Sequence, residues 1–267
     1  MQARYSLFSL SVVFFTVLFS SNMCLAGSKR HFRSEANGYS IAIPDGWVKV
    51  PDEIVTERFK FLSSTESKAA YSFEMAFQQS SSGQWFVYPY VLVQAMTYSK
   101  IGLDRQIQKS EFKKIISGLT GLDIDDVINE NISDDAKGFI SGGAIGEVLL
   151  DQENNLYVFG LEMNVDGVGK IQGQVAGHFG RHSIIQVNFY DLKSNWGQTA
   201  TERELIQESF NFDPAMAYNE DAQKQVGFIG RVLPFAVLVL ILVGITVAWR
   251  YVKIKASYKK NDNLQDG

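Results

Sequence analysis

Residues 232–249, VLPFAVLVLILVGITVAW, run for 18 positions without a charge. A helix of that length extends roughly 27 Å at about 1.5 Å per residue, close to a hydrocarbon core of about 30 Å. Arg231 can snorkel at the near interface, and Pro234 lies in the first turn, where a missing N–H is tolerated. Trp249 and Tyr251 stand where interfacial aromatics belong, and Arg250, Lys253, Lys255, Lys259 and Lys260 follow. The expected organisation is one span over residues 227–250 and a short basic tail over 251–267 on the cytoplasmic side. Whatever precedes the span must then fold on the other face of the membrane.

The opposite end agrees. Arg4, the apolar run 7–19 and the small-residue exit Cys24-Leu25-Ala26 read as an export signal over residues 1–26. Cleavage is expected after Ala26, the alternative being retention as a second anchor. Between the two ends lie residues 27–225, with 18 Lys plus Arg against 27 Asp plus Glu, a net charge of −9. Such a balance opposes nonspecific binding to nucleic acid or anionic headgroups. The chain's one cysteine falls inside the signal. An exported domain without disulfides, zinc thiolates or a cysteine nucleophile fits a bacterial periplasm better than an animal cell surface.

Residues 27–213 are expected to form a single exported α+β domain, followed by a polar tether over 214–226. Tyr39, Ile41 and Ile43 alternate with smaller residues up to Pro44, Asp45-Gly46 turns the chain, and Trp47 resumes the strand pattern. Pro51-Asp52-Glu53 looks like a helix start. Tyr71, Phe73, Met75 and Phe77 mark a half-buried strand. Residues 86–98 form a β-rich run interrupted by Pro89, which suggests an edge or a bulge. The spacing of Ile107, Phe112, Ile115, Ile116 and Leu119 predicts an amphipathic helix over 104–119, and a second helical piece is expected over 123–129. Strands are expected over 144–150, 156–163, 168–179 and 183–190, with turns at 152–155, Asp166-Gly167 and Gly180. A capping signature, Thr201 followed by Glu204, opens a last helix over 201–209.

The front segment, with Tyr39, Ser40, Ile41, Pro44, Gly46 and Trp47, and the back segment, with Phe189, Tyr190, Ile206, Ser209, Phe210 and Phe212, carry a resemblance. Over residues 36–213 the chain resembles the Mog1/PsbP-like superfamily. The resemblance implies an antiparallel sheet flanked by helices, an α/β/α sandwich. Residues 121–143 depart from that pattern. Members range from a photosystem accessory subunit to a nuclear-import factor and bacterial proteins of unknown role, so the likeness implies an assembly or binding module more than a reaction.

Few residues nominate chemistry. His178 and His182 flank Phe179-Gly180-Arg181, and a three-residue hairpin loop would set the two imidazoles opposite each other as weak candidates for a metal. His31 is the one further histidine, and no carboxylate stands out to complete a ligand set. The acidic stretch 123–130 lacks the Gly and Glu that a calcium loop needs at its sixth and twelfth positions, and reads as dipole-stabilising acids at a helix start. Ser141-Gly142-Gly143-Ala144-Ile145-Gly146 has neither the Lys of a phosphate loop nor dinucleotide spacing. The aromatic cluster 85–90 reads as core, with a ligand groove as the alternative. No catalytic residue and no cofactor is expected. The reading that follows is a single-pass, membrane-tethered extracytoplasmic binding or accessory module for an envelope protein partner, without nucleic acid. Its rival is a metal-dependent binder or hydrolase using the His178/His182 turn and nearby acids.

Overall fold

The structure, a computed structural model, describes residues 30–59, 71–81, 83–101, 103, 105–120 and 140–220. The export signal, the span, the tail and the acidic stretch 121–139 lie outside the described residues. Among the described residues no helix is long and apolar enough to cross a membrane.

The strands are β1 (Arg30–Ser34), β2 (Tyr39–Ile43), β3 (Trp47–Lys49), β4 (Tyr71–Gln79), β5 (Tyr90–Thr97), β6 (Ile140–Ile145), β7 (Leu149–Asp151), β8 (Leu156–Val165), β9 (Gly169–Phe179), β10 (Ser183–Leu192) and β11 (Asn211–Phe212). The helices are α1 (Asp52–Phe59), α2 (Lys109–Thr120) and α3 (Ala200–Glu208). An antiparallel sheet runs in the order β3-β4-β5-β10-β9-β8-β6, with β7 also on β8, and a second sheet of three strands runs β1-β2-β11.

The large sheet is covered on both faces. Along β5, Tyr90, Leu92 and Met96 point to one side, where Val55 of α1 and Phe112 of α2 join the same core; Val91, Val93 and Ala95 point to the other. On that second face the layer is mixed, with Ile206 of α3 beside Tyr39 and Ile41 of the small sheet. Two covered faces explain why all of residues 90–96 are buried and why β5 shows no alternation to read.

The opening turn is as expected. Trp47 N donates to Pro44 O at 3.1 Å, Gly46 takes φ of 78°, and the Trp47 ring is buried against Phe77 and Phe189. Other details differ. Strand β1 is not legible in the sequence, because His31 and two arginines occupy three of its five positions; Arg30 Nη2 donates to Trp47 O at 2.5 Å and Arg33 pairs with Asp213 at 2.8 Å. Pro89 is neither an edge nor a bulge, since β5 begins one residue later and lies between β4 and β10. The helix expected from residue 104 begins at 109, because the Glu111 carboxylate reaches back to accept Gln108 N at 2.9 Å and fixes the helix start there. Residues 144–150 divide between β6 and β7, and Gly146 N in the gap donates to Gly160 O. The last helix is flanked by Thr199, not capped by Thr201, and the Thr199 hydroxyl donates to Asp191 at 2.8 Å.

The polar stretch after Phe212 does not leave the body at once. Arg181 N donates to Met216 O at 2.8 Å, Gly180 and Ala217 form a bridge, and Gln106 exchanges two hydrogen bonds with the Asn219 backbone.

Candidate functional groove

Strand β9 alternates strictly enough to place His178 on the same face as Ala176, with Leu156 of β8 and Ile185 of β10 as its ladder neighbours. The histidine pair therefore does not form across the hairpin. His178 is buried inside the sheet, while His182 lies exposed in the turn. The two serve different environments because the strand ends at Phe179, before the turn begins. Among the described residues no group of three or more His, Cys, Asp or Glu side chains could hold a metal ion.

What surrounds His178 is a groove of about 490 Å³, inside the range of small-molecule sites. One wall is the end of the β8–β9 pair, with Asn155, Val158 and His178. The other is formed by Glu208 at the end of α3, Phe210 and Tyr218. The sequence brings these walls together through β11, which pairs with β2 at Asn211↔Ser40 and Phe212↔Tyr39 and so carries Phe210 under the large sheet. Ser209 reinforces the approach, its hydroxyl accepting Ala42 N at 2.9 Å and donating to Ile206 O at 3.1 Å. Gly180 leaves room for Phe212: a Cβ there would lie 2.7 Å from the ring.

The His178 ring stacks on Phe210 with centroids 3.8 Å apart and planes at 17°. Burial pushes its imidazole down to about 3, so it is uncharged at neutral pH. Its Nε2 is buried without a hydrogen-bond partner. Asn155 completes the pattern. It holds the left-handed conformation at φ of 54°, its carbonyl accepts Phe179 N at 2.8 Å, and its Oδ1 is buried and unpartnered. Asp151 fixes that loop by accepting the Glu153 and Asn154 backbone N–H groups at 3.0 and 2.9 Å. Two orphan polar atoms on residues that line one groove are uncommon in a finished interior, where buried polar atoms are mostly paired.

A second polar feature lies on the opposite face of the sheet. Gln94 and Gln186 are cross-strand partners, both fully buried, with Asn188 beside them. Gln186 Nε2 donates to the Tyr157 hydroxyl at 2.5 Å, and Asn188 Nδ2 to Leu92 O at 3.1 Å. Burial pushes the Tyr157 phenol up to about 12 against the lowering effect of Gln186. The aromatic stretch read as core is largely that: Phe86 and Tyr90 are buried and packed edge to face, and Gln78 Oε1 accepts Phe86 N.

Sequence reasoning pointed to His178 but not to its surroundings. Asn155, Glu208 and Tyr218 come from separate stretches that only the pairing of β11 and the return of residues 213–219 bring together.

No protein-family model matches the chain, and comparison with curated proteins finds no match. Solved structures do show likeness. The solution structure of the cyanobacterial PsbP of Synechocystis shares 10% identity over 73% of this chain and 99% of that one, with a TM-score of 0.40. The Ran-binding protein Mog1p of Saccharomyces cerevisiae shares 9% over 69% and 95%, at 0.33. LpqN of Mycobacterium tuberculosis, described as involved in cell envelope biogenesis, shares 12% over 70% and 91%, at 0.35. All three have the Mog1/PsbP-like fold, the group that the opening strand and closing aromatic segment of this sequence resemble.

Proposed function

We propose that the chain is a membrane-tethered binding or accessory module whose folded domain lies outside the cytoplasm and serves an envelope protein partner. The observation that carries the reading is the charge-free run 232–249 with five basic residues directly after it, close behind a folded domain whose described residues fall between 30 and 220. The acidic balance of the intervening region supports a protein partner over nucleic acid.

The test is a topology and retention experiment on the full chain carrying a C-terminal tag. Protease added to the outside of spheroplasts should remove the folded domain and leave a tagged, membrane-retained fragment. Purification in mild detergent should then bring down one stoichiometric envelope protein, lost when residues 30–220 are deleted. A tagged chain released from membranes by alkaline carbonate would overturn the tether. A solitary protein in mild detergent would overturn the partner.

A further inference from the structure

The groove between β8–β9 and the Phe210–Tyr218 wall has its own chemistry. Its buried polar atoms that lack partners are hydrogen-bond acceptors or can act as acceptors: Asn155 Oδ1, and His178 Nε2 in the tautomer protonated at Nδ1. The carboxylate of Glu208 stands at the rim, and neither lysine nor arginine is found among the described lining residues. The rest of the lining mixes side-chain amides with aliphatic and aromatic groups, Phe212 and Tyr218 among them.

We propose that this groove binds a small organic amine, its ammonium group directed to Asn155, His178 and Glu208 and its apolar body laid on the aromatic wall. The orphan acceptors and the carboxylate favour a cation over an anion. An ammonium donates three hydrogen bonds and accepts none, which matches the two orphan acceptors and the Glu208 carboxylate. A carboxylate at the mouth adds charge complementarity. An anion would meet the Glu208 charge with no lysine or arginine in the lining to offset it. The uncharged state of His178 removes the one lining group that could have repelled an amine.

Full-length protein in detergent micelles, labelled with ¹⁵N-histidine, supplies the test, since His178 is one of three histidines. Phenethylamine is the probe and phenylacetate its anionic counterpart of similar shape. Three results are expected together. Phenethylamine shifts the His178 Nε2 resonance saturably; it binds at least about tenfold more tightly than phenylacetate, a difference of about 1.4 kcal/mol; and Glu208→Gln, a change at an exposed helix end, weakens it severalfold while leaving phenylacetate no weaker. Failure of any one overturns the proposal. Asn155→Gly, which keeps the left-handed backbone available, should also weaken the amine, and unchanged affinity there would place the probe elsewhere. The outcome is separable from the partner reading, because retention of an envelope protein is scored without any amine.

Discussion

Glu74 accepts the Ser34 hydroxyl at 2.7 Å, although the two residues lie 40 positions apart and on different sheets. The same carboxylate accepts the Tyr39 hydroxyl at 3.2 Å and the Asn37 side-chain amide. A register shift in β4 between Phe73 and Met75 accompanies this placement, and the carboxylate pins the small sheet onto the large one. Burial, and then the Glu74 charge, push the Tyr39 phenol far above its ordinary range. Glu74→Ala orphans three donors at once and should cost about 2–4 kcal/mol, and Glu74→Gln about 1. Urea unfolding of the two variants checks this; an alanine variant within about 0.5 kcal/mol of the parent would show that the pin contributes nothing.

Gly177 faces Tyr157 so closely that a Cβ would lie 2.1 Å from the ring carbon Cζ. The Tyr157 ring is fully buried and its hydroxyl is held by Gln186, so it has little room to yield. Gly177→Ala should therefore destabilise by about 1–3 kcal/mol through overpacking. In a double-mutant cycle with Tyr157→Leu the two costs should fall short of additivity by at least about 1 kcal/mol. Additive costs would mean that the strain lies elsewhere.

His178 makes a signed prediction about pH. Its folded value of about 3 lies below the ordinary 6.5, so between those values the unfolded chain holds a proton that the folded chain refuses. Stability is then fully present above about pH 6.5 and declines as pH falls toward 3, with a slope of up to about 1.4 kcal/mol per unit from this residue. His178→Phe keeps a ring to stack on Phe210 and removes the titration. The difference between parent and variant stability curves across pH 3–8 isolates the effect; parallel curves would rule out the buried neutral imidazole.

Arg105 grips Glu111 with two nitrogens, each at 2.8 Å, and both side chains are largely shielded from water. Burial alone would raise the Glu111 carboxyl; the hydrogen bonds from Arg105 and Gln108 outweigh it and hold the group below its ordinary value. Stability from this pair is present above the ordinary carboxylate range and is lost as pH falls through the lowered value. Arg105→Met should cost about 2–4 kcal/mol at neutral pH, because it strips the partner from a largely shielded charge at the helix start. Measured by denaturant unfolding, a cost below about 1 kcal/mol would mark the pair as surface-like.

The legible parts of the fold are those in which a local period survives burial. Strands β8 and β10 were readable from Leu156 and Ser183 onward because side chains two apart share one covered face, and the turns between strands carry Asn, Asp and Gly. Strand β1 was not readable, because Arg30, His31 and Arg33 reach their partners through charge and backbone pairing rather than through an apolar pattern. The apolar spacing extends back to Ile107, but the bond that Glu111 accepts from Gln108 N sets the start of α2 at Lys109. The groove shows the deeper limit. His178 is visible as a residue, but the distinction between a turn histidine and a buried one depends on where β9 ends. Glu208 and Tyr218 become its neighbours only through a two-residue strand and a returning segment that no periodicity announces.

The lacing of residues 213–220 onto the body has a mechanical consequence. Its bonds are distributed along the chain: Glu220 to Lys109, Asn219 to Gln106, then Met216 to Arg181. A load applied from beyond residue 220 would meet them one after another, as a zipper is opened from its end, and not all at once. Tyr218 lies between the second and third of these fastenings, so the groove wall would peel away at forces that leave the long ladders of β8, β9 and β10 intact.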